Sequence, residues 1–291
     1  MDQFNLFSSS DIEAKPAIES ISHARHYSVF RYPGGKSWAV PFIKRWLQKL
    51  GRPKKFIEPF AGGAVVGLSV ALENLADHVI LIEKDPNVAA VWEIICNGSD
   101  GDIKSLCSKL ENFTPSRELV IELLAKNETD TLNRAFKTIL KNRFSDGGIL
   151  TDDAGILKNG ENNKGLTSRW YPKTLIKRIN LIRHFREKIS FIEGCAFKTL
   201  DEFKNDKNAV FFIDPPYTAG GKNAGTRLYP FFEIDHKSLF EKMSEIEGSF
   251  LATYDVSENV KEMANHFRFN VVETNMRNTK NLMQSELFIM Q

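Results

Sequence analysis

At 291 residues, 42% hydrophobic and 26% charged, with 22 Phe against 18 Gly and 11 Pro, the chain is ample for a continuous core; this excludes a small stapled scaffold, a collagen-like repeat and wholesale disorder. Lys plus Arg number 39 and Asp plus Glu 37, and a net charge of +2 does not announce a polyanionic partner, so the distribution of charge has to be read instead. Cys96, Cys107 and Cys195 are odd in number and lack CxxC spacing, which argues against a disulfide framework or a zinc site, fits a reducing compartment and leaves them as small buried hydrophobes.

Residues 1–20 lack a basic segment followed by an apolar one, and no apolar run approaches the ~18 residues that span a bilayer, so neither secretion nor membrane insertion is expected. Residues 1–26 read as a mobile leader. Trp38, Phe42 and Trp46 then recur every four residues beside Ile43, Leu47 and Leu50, which predicts a helix from about Ser37 to Leu50 with Ser37 as its cap. KFIE is a short strand into PFAGGA, GLSVALENL a helix, VILIE a buried strand and PNVAAVWEIIC another helix. This is the βαβα rhythm of a parallel sheet. From about Gly101 to Lys188 the pattern turns helical (IKSLCSKLENF, RELVIELLA, LNRAFKTILKN), followed by a glycine-rich stretch from Ser145 to Leu166 too long for a simple connection. SFIE, AVFFI, a helix near 236–246, SFLATY, a helix from about Ser257, FNVVETN and ELFIM resume the alternation. The expected organisation is an α/β domain built from 27–100 and 189–291, with a mostly helical domain, 101–188, inserted between them.

In FIEPFAGGA the strand feeds a turn containing Gly62 and Gly63, where the missing Cβ lets backbone N–H groups approach a ligand. Glu83 ends the next strand, the position from which a carboxylate accepts both hydroxyls of a ribose. Each feature alone is also met by a plain turn and a solvated strand end. GxGxxG is not spelled out after Phe60, which argues against the common dinucleotide pattern.

AVFFIDPPYTAGG is the sharpest feature. A buried strand delivers Asp214 at its carboxyl end, and Pro215 and Pro216 remove two N–H donors and turn the chain out as a rigid loop with free carbonyls. Tyr217 adds a flat face, worth ~1–3 kcal/mol in stacking on a base. Together they form a socket for a planar molecule carrying an NH2 group. Such an amine is a poor nucleophile because its lone pair is delocalised. If Asp214 and the Pro215 carbonyl each accept one of its hydrogens, the nitrogen is pushed toward sp3 and its lone pair is aimed at an electrophile.

Tyr32-Pro33-Gly34-Gly35-Lys36, the turn Glu58-Pro59-Phe60-Ala61-Gly62-Gly63 and Asp214-Pro215-Pro216-Tyr217, in this order across about 190 residues, resemble the Dam-like (alpha) group of DNA adenine-N6 methyltransferases. The resemblance implies a Rossmann-like sheet that uses S-adenosylmethionine, with a target recognition domain between the glycine turn and DPPY. Carried over by position, it implies a cofactor site of Tyr32, Gly35, Lys36, Glu58, Pro59, Phe60, Gly62, Gly63, Glu83 and Asp214, with Lys36 near the donor's carboxylate and Glu83 on its ribose. Asp214 to Tyr217 would be the catalytic residues that hold the adenine. Two positions depart from the common pattern: Ala64, where members often have glycine, and Glu83, where they often have Asp.

The near-neutral total hides two basic segments, one from Arg25 to Lys55 without an acid and one running from Arg169 to Lys188 opposed only by Glu187. Charge runs are usually solvated faces, yet the second lies beside TSRWYP in the insert, a surface suited to phosphates. Asn142, Arg143, Arg169 and Lys173 are the candidates for DNA contact and base reading. The reading is a methyltransferase acting on a flipped-out adenine in duplex DNA, without metal, cytoplasmic and nucleoid-associated, expected as a monomer that pairs functionally with a restriction endonuclease. Its rivals are RNA adenine, a protein glutamine amide, and a DNA-binding regulator with a degenerate cofactor pocket.

Overall fold

AVFFI and VILI carry no polar residue on either face, a pattern stable only in strands covered on both sides. The structure, a computed structural model, describes residues 27–31, 34–158, 160, 164–218, 231, 233–277 and 283–291, so the leader over 1–26 and Tyr32 lie outside the described residues. β4 (Ala209–Ile213) is buried at every position and β2 (His78–Glu83) at the four between its ends. β1 (Lys55–Glu58) lies between them, β3 (Ile189–Glu193) flanks β2 and β5 (Ser249–Asp255) flanks β4, all parallel. β7 (Met283–Met290) runs antiparallel to both β5 and β6 (Asn270–Arg277), for an order β3-β2-β1-β4-β5-β7-β6. The α/β, mostly parallel, Rossmann-like sheet is as expected; its antiparallel edge was not. FNVVETN and ELFIM follow each other too closely for a helical crossover, and only antiparallel strands join that way.

The chain winds outward from β1 to β2 and β3, then returns to lay β4 on the other side of β1. Ligands of open sheets bind at the carboxyl ends of the strands where the winding switches. Glu58, Glu83 and Asp214 sit at the ends of β1, β2 and β4.

One face of the sheet is covered by α1 (Val40–Leu50), α2 (Val65–Leu72) and α3 (Pro86–Trp92), which runs on into a π-helical turn, Glu93–Asn97. The same apolar cluster takes in α4 (Asp100–Asn112), α6 (Thr131–Phe144) and α7 (Pro172–His184) through Ile103, Leu106, Ile139, Leu175 and Ile179. The helical segment is therefore a layer continuous with the core of the sheet. Together with α5 (Arg117–Ala125) it has a smaller cluster of its own around Val120, Leu140 and Phe144. The other face carries α8 (Ala196–Phe203), α9 (His236–Ser244) and α10 (Glu258–His266).

Two local expectations need correction. Ser37 does not cap α1, which begins at Val40 with Pro41 in its first turn, and the Ala39 N–H donates to the Lys36 carbonyl (3.0 Å). Proline suits a first helical turn because its missing N–H has no partner there anyway. The glycine-rich stretch is folded where it is described: Ser145 bridges Ile156, the Asp146 N–H donates to the Gly155 carbonyl (2.9 Å), and Gly147 and Gly148 take φ of 67° and 78°. Among the described residues no helix is long and apolar enough to cross a membrane, and no group of His, Cys, Asp and Glu is arranged to hold a metal ion.

Candidate active site

The glycine turn is held from both sides. Gly62 and Ala64 have φ of 46° and 51°, the left-handed region. For Ala64 this costs roughly 1 kcal/mol, which is where the glycine common at that position would have been free of strain. The Trp92 indole N–H donates to the Gly62 carbonyl (2.8 Å) and the Ser28 hydroxyl to the Gly63 carbonyl (2.5 Å). Glu83 Oε2 accepts the Gly62 N–H (2.7 Å), and its Oε1 accepts the N–H groups of Lys84 and Asp85 (2.8 Å each). Glu83 thus ties the turn to the end of β2. Desolvation pushes its carboxyl up to about 7 against these backbone donors. Glu58 is buried beneath the turn, its carboxyl raised well above the usual range by burial, and Oε2 accepts the Gly67 N–H (2.8 Å). Pro59 is buried, Phe60 half-buried against the opposite face and Gly35 exposed.

Across the switch point, Asp214 Oδ1 accepts from Thr253 Oγ1 (2.6 Å) and the Tyr217 hydroxyl (3.0 Å) and pairs with Lys36 Nζ (3.0 Å). All three meet one oxygen, and no described residue donates to Oδ2. The Asp214 side chain keeps 21% of its surface exposed. Pro215 is buried and its carbonyl accepts no hydrogen bond from the described residues, whereas the Pro216 carbonyl takes the Thr218 N–H (3.0 Å). Asp214 thus keeps one oxygen, and the following Pro215 its carbonyl, without a donor from the described residues.

The Lys36 ammonium also donates to the Gly34 carbonyl (2.9 Å) and lies 4.7 Å from the Tyr217 ring centroid, so it sits with Asp214 and Tyr217. Tyr217 stacks on Tyr254 (6.0 Å, 17°), and its hydroxyl turns inward between Asp214 and Glu286 Oε2 (2.9 Å). Behind it, His236 spans Thr218 Oγ1 (2.8 Å) and the Tyr254 hydroxyl (3.2 Å), with burial lowering its tendency to take a proton. Sequence reasoning missed Thr253, Glu286 and Gly67. A lone acid inside the apolar run ELFIM was the signal for Glu286, and a glycine inside a helix the signal for Gly67.

The DNA candidates separate. Asn142 is fully buried: Oδ1 accepts the Arg31 N–H (2.9 Å), and Nδ2 donates to the carbonyls of Arg31 (3.1 Å) and Gly148 (2.9 Å). Arg143, also buried, donates to the Val29 carbonyl; burial first, then Arg178, Arg31 and Arg169, lower its pKa to about 9. Both side chains are buried, and their hydrogen bonds go to the backbone of residues 29–31 and 148. Arg169 is half-buried with Nη1 on the Ser145 carbonyl (3.2 Å), and Lys173 is exposed on the first turn of α7. The first basic segment is less bare than its sequence, since Lys44, Arg52 and Lys55 pair with Glu73, Asp77 and Asp206 from elsewhere in the chain.

Against known proteins, residues 32–279 match the family model of D12 class N6 adenine-specific DNA methyltransferases. The chain is similar to the type II methyltransferase M.MjaIII of Methanocaldococcus jannaschii, 23% identical over 219 residues, which cover 70% of this chain and 74% of that protein. Among solved structures it is similar to PH1948 of Pyrococcus horikoshii, described as a candidate RNA methyltransferase (TM-score 0.44, 12% identity, 94% of this chain and 95% of that one). It is also similar to the precorrin-6y C5,15-methyltransferase of Geobacter metallireducens (TM-score 0.37, 10% identity, 86% and 84%).

Proposed function

The chain belongs to the D12 class N6 adenine-specific DNA methyltransferase family, and from that premise we propose that it moves a methyl group from S-adenosylmethionine to the N6 amine of an adenine flipped out of duplex DNA. The observation that carries this reading is the pairing of an open Asp214 oxygen with the Pro215 carbonyl beside the glycine turn. The residues fit the cofactor: the carboxyls of Glu83 and Asp214, at the ends of the strands on either side of β1, suit a donor that carries positive charge, and the turn at the end of β1 brings backbone close to it. When bound, S-adenosylmethionine supplies a methyl group on a positively charged sulfur.

Each residue then has a task. Thr253 and Lys36 hold Asp214 by one oxygen, so that the other accepts one amine hydrogen while the Pro215 carbonyl accepts the second. Acceptors already oriented need no reorganisation during reaction, and groups of this kind are worth ~3–4 kcal/mol each. Asp214, with its second oxygen toward the amine, is placed to take the proton released once the nitrogen carries the methyl group. Duplex contact is assigned to the basic surface of α7, with Lys173 on phosphate. Flipping costs a few kcal/mol, which these contacts must offset.

Asp214→Ala tests the assignment. Methyl transfer to DNA, followed with tritiated S-adenosylmethionine, should be lost while thermal stabilisation by the cofactor is largely kept; full activity in the variant refutes the role. Mapping methylated bases in DNA from a host that expresses the protein then tests adenine as the target.

A further inference from the structure

Nothing in the proposed reaction uses Glu286. It is a carboxyl with 5% of its side chain exposed, in β7 directly before the apolar run 287–290, 2.9 Å from the Tyr217 hydroxyl and 3.8 Å from the Lys36 ammonium. A carboxyl is buried at a cost of several kcal/mol unless its partners offset it. Both of its partners hold the amine socket together.

We infer that Glu286 is a positioning residue for methyl transfer: by taking the Tyr217 hydroxyl hydrogen when ionised and returning it when protonated, it sets how strongly Asp214 accepts from the amine. The inference rests on the role proposed for Asp214.

The argument is a count of hydrogens. The Tyr217 hydroxyl lies within hydrogen-bonding distance of two carboxyl groups, Asp214 Oδ1 (3.0 Å) and Glu286 Oε2 (2.9 Å), and has one hydrogen to give. If both carboxyls are ionised, the one left out faces a lone pair. If one is protonated, the row closes. Glu286 is faced by Lys36 from the turn before α1, by Asp214 and Tyr217 after β4, by Asp255 directly opposite on β5, and by the hydroxyl of Thr274 on β6. Asp214 and Glu286 share the Lys36 ammonium and Asp255 adds a further negative charge beside Glu286, so one of the sharing pair tends to keep a proton. Asp214 already accepts from Thr253 and is 3.0 Å from Lys36, whereas Glu286 is 3.8 Å from it, which makes Glu286 the holder. Burial, with the charges of Asp214 and Asp255, raises its carboxyl to about 7 despite Lys36.

Two arrangements follow. With Glu286 protonated, its hydrogen goes to the Tyr217 oxygen and the Tyr217 hydrogen to Asp214 Oδ1, which draws charge from the carboxylate and leaves Oδ2 a weaker acceptor for the amine. With Glu286 ionised, the Tyr217 hydrogen swings to Glu286, and Asp214 recovers acceptor strength for the amine. The only bond broken is the Glu286 O–H, whose proton leaves to solvent.

The experiment is a pH series of single-turnover methyl transfer from tritiated S-adenosylmethionine to sheared, unmethylated genomic DNA. The wild-type rate should rise about tenfold between about pH 6 and about pH 8. Glu286→Gln should flatten this limb to within about twofold, and Glu286→Asp should restore it. Should Glu286→Gln fail to fold, Tyr217→Phe, which has no hydrogen to direct, must flatten the limb as well. A limb of unchanged midpoint in either variant, or none in the wild type, overturns the inference and leaves the methyltransferase reading standing. Wild-type protein that transfers no methyl group fails that reading instead. Carbon-13 NMR of glutamate-labelled protein then still decides the inference: a Glu286 carboxyl titrating in the ordinary carboxylate range, or one indifferent to Tyr217→Phe, sinks it.

Discussion

Asn142→Ala separates a structural asparagine from a base-reading one. The amide makes three hydrogen bonds, two to the backbone of Arg31 and one to the Gly148 carbonyl, and all three groups lose their partner in the variant. A buried partner left unsatisfied costs ~1–3 kcal/mol, and the two Arg31 groups, nearer the surface, recover part of that from water. The expected loss is therefore ~2–4 kcal/mol, or ~4–8 °C in thermal midpoint for a chain somewhat larger than the usual reference domains. Gly148 has no slack to relax into the gap, because a Cβ there would lie 2.4 Å from the Arg31 carbonyl oxygen at a φ of 78°. Denaturant unfolding measures the loss, and sequencing of methylated sites in host DNA measures recognition. A variant of unchanged stability that methylates a relaxed set of sites would show the amide reading bases and refute its structural assignment.

Three further outcomes follow from the same geometry. Gly67→Ala puts a Cβ 2.5 Å from both Glu58 Oε2 and Leu81 Cδ2, so it should cost ~1–3 kcal/mol and weaken cofactor binding by shifting the glycine turn, as read by thermal shift with S-adenosylmethionine; intact stability and binding would show that α2 gives way freely. Lys36→Met removes the cation beside Asp214 and Glu286, and the maximal rate should fall ~100-fold or more with a smaller change in cofactor affinity. The reverse split, with affinity lost and the rate at saturation kept, would return Lys36 to the donor's carboxylate. Glu58 has a folded-state pKa above its unfolded value, so the stability it confers is complete below about pH 4.5 and is lost as pH rises toward the folded pKa. Glu58→Gln, neutral throughout, should gain on the wild type as pH increases from about 5 to about 8, and a stability difference that does not vary with pH defeats the argument.

What the sequence made legible follows burial. β2 and β4 were readable because strands covered on both faces must be apolar throughout, and the strand ends then located Glu83 and Asp214. α7 was hidden because Lys173, Lys177, Arg178 and Arg183 dominate its sequence, although Leu175, Ile179 and Ile182 form a regular stripe beneath them. The Dam-like resemblance located the DPPY socket but not its supports. Thr253 and Glu286 reach Asp214 and Tyr217 from strands 39 and 69 residues away, and no local pattern ties such positions together. Charge misled for the same reason: Lys44, Arg52 and Lys55 stand in a segment without acids and find them across the fold.

The burial of Asn142 and Arg143 ties the helical segment to the glycine turn. Asn142, Arg143 and Arg178 together grip the backbone from Ser28 to Arg31, and the hydroxyl of Ser28 in turn holds the Gly63 carbonyl in the glycine turn. That segment leads directly to Lys36, whose ammonium meets Asp214. Helices α6 and α7 are therefore joined by hydrogen bonds to the Ser28–Arg31 backbone and through Ser28 to the glycine turn, while the exposed side of α7 presents Lys173 outward. A duplex that displaces α7 must load the Ser28–Arg31 backbone, and with it the turn and the socket, because the packed core beneath these helices leaves little room for them to move alone. In this geometry the inner faces of α6 and α7 hold the Ser28–Arg31 backbone in register with the glycine turn.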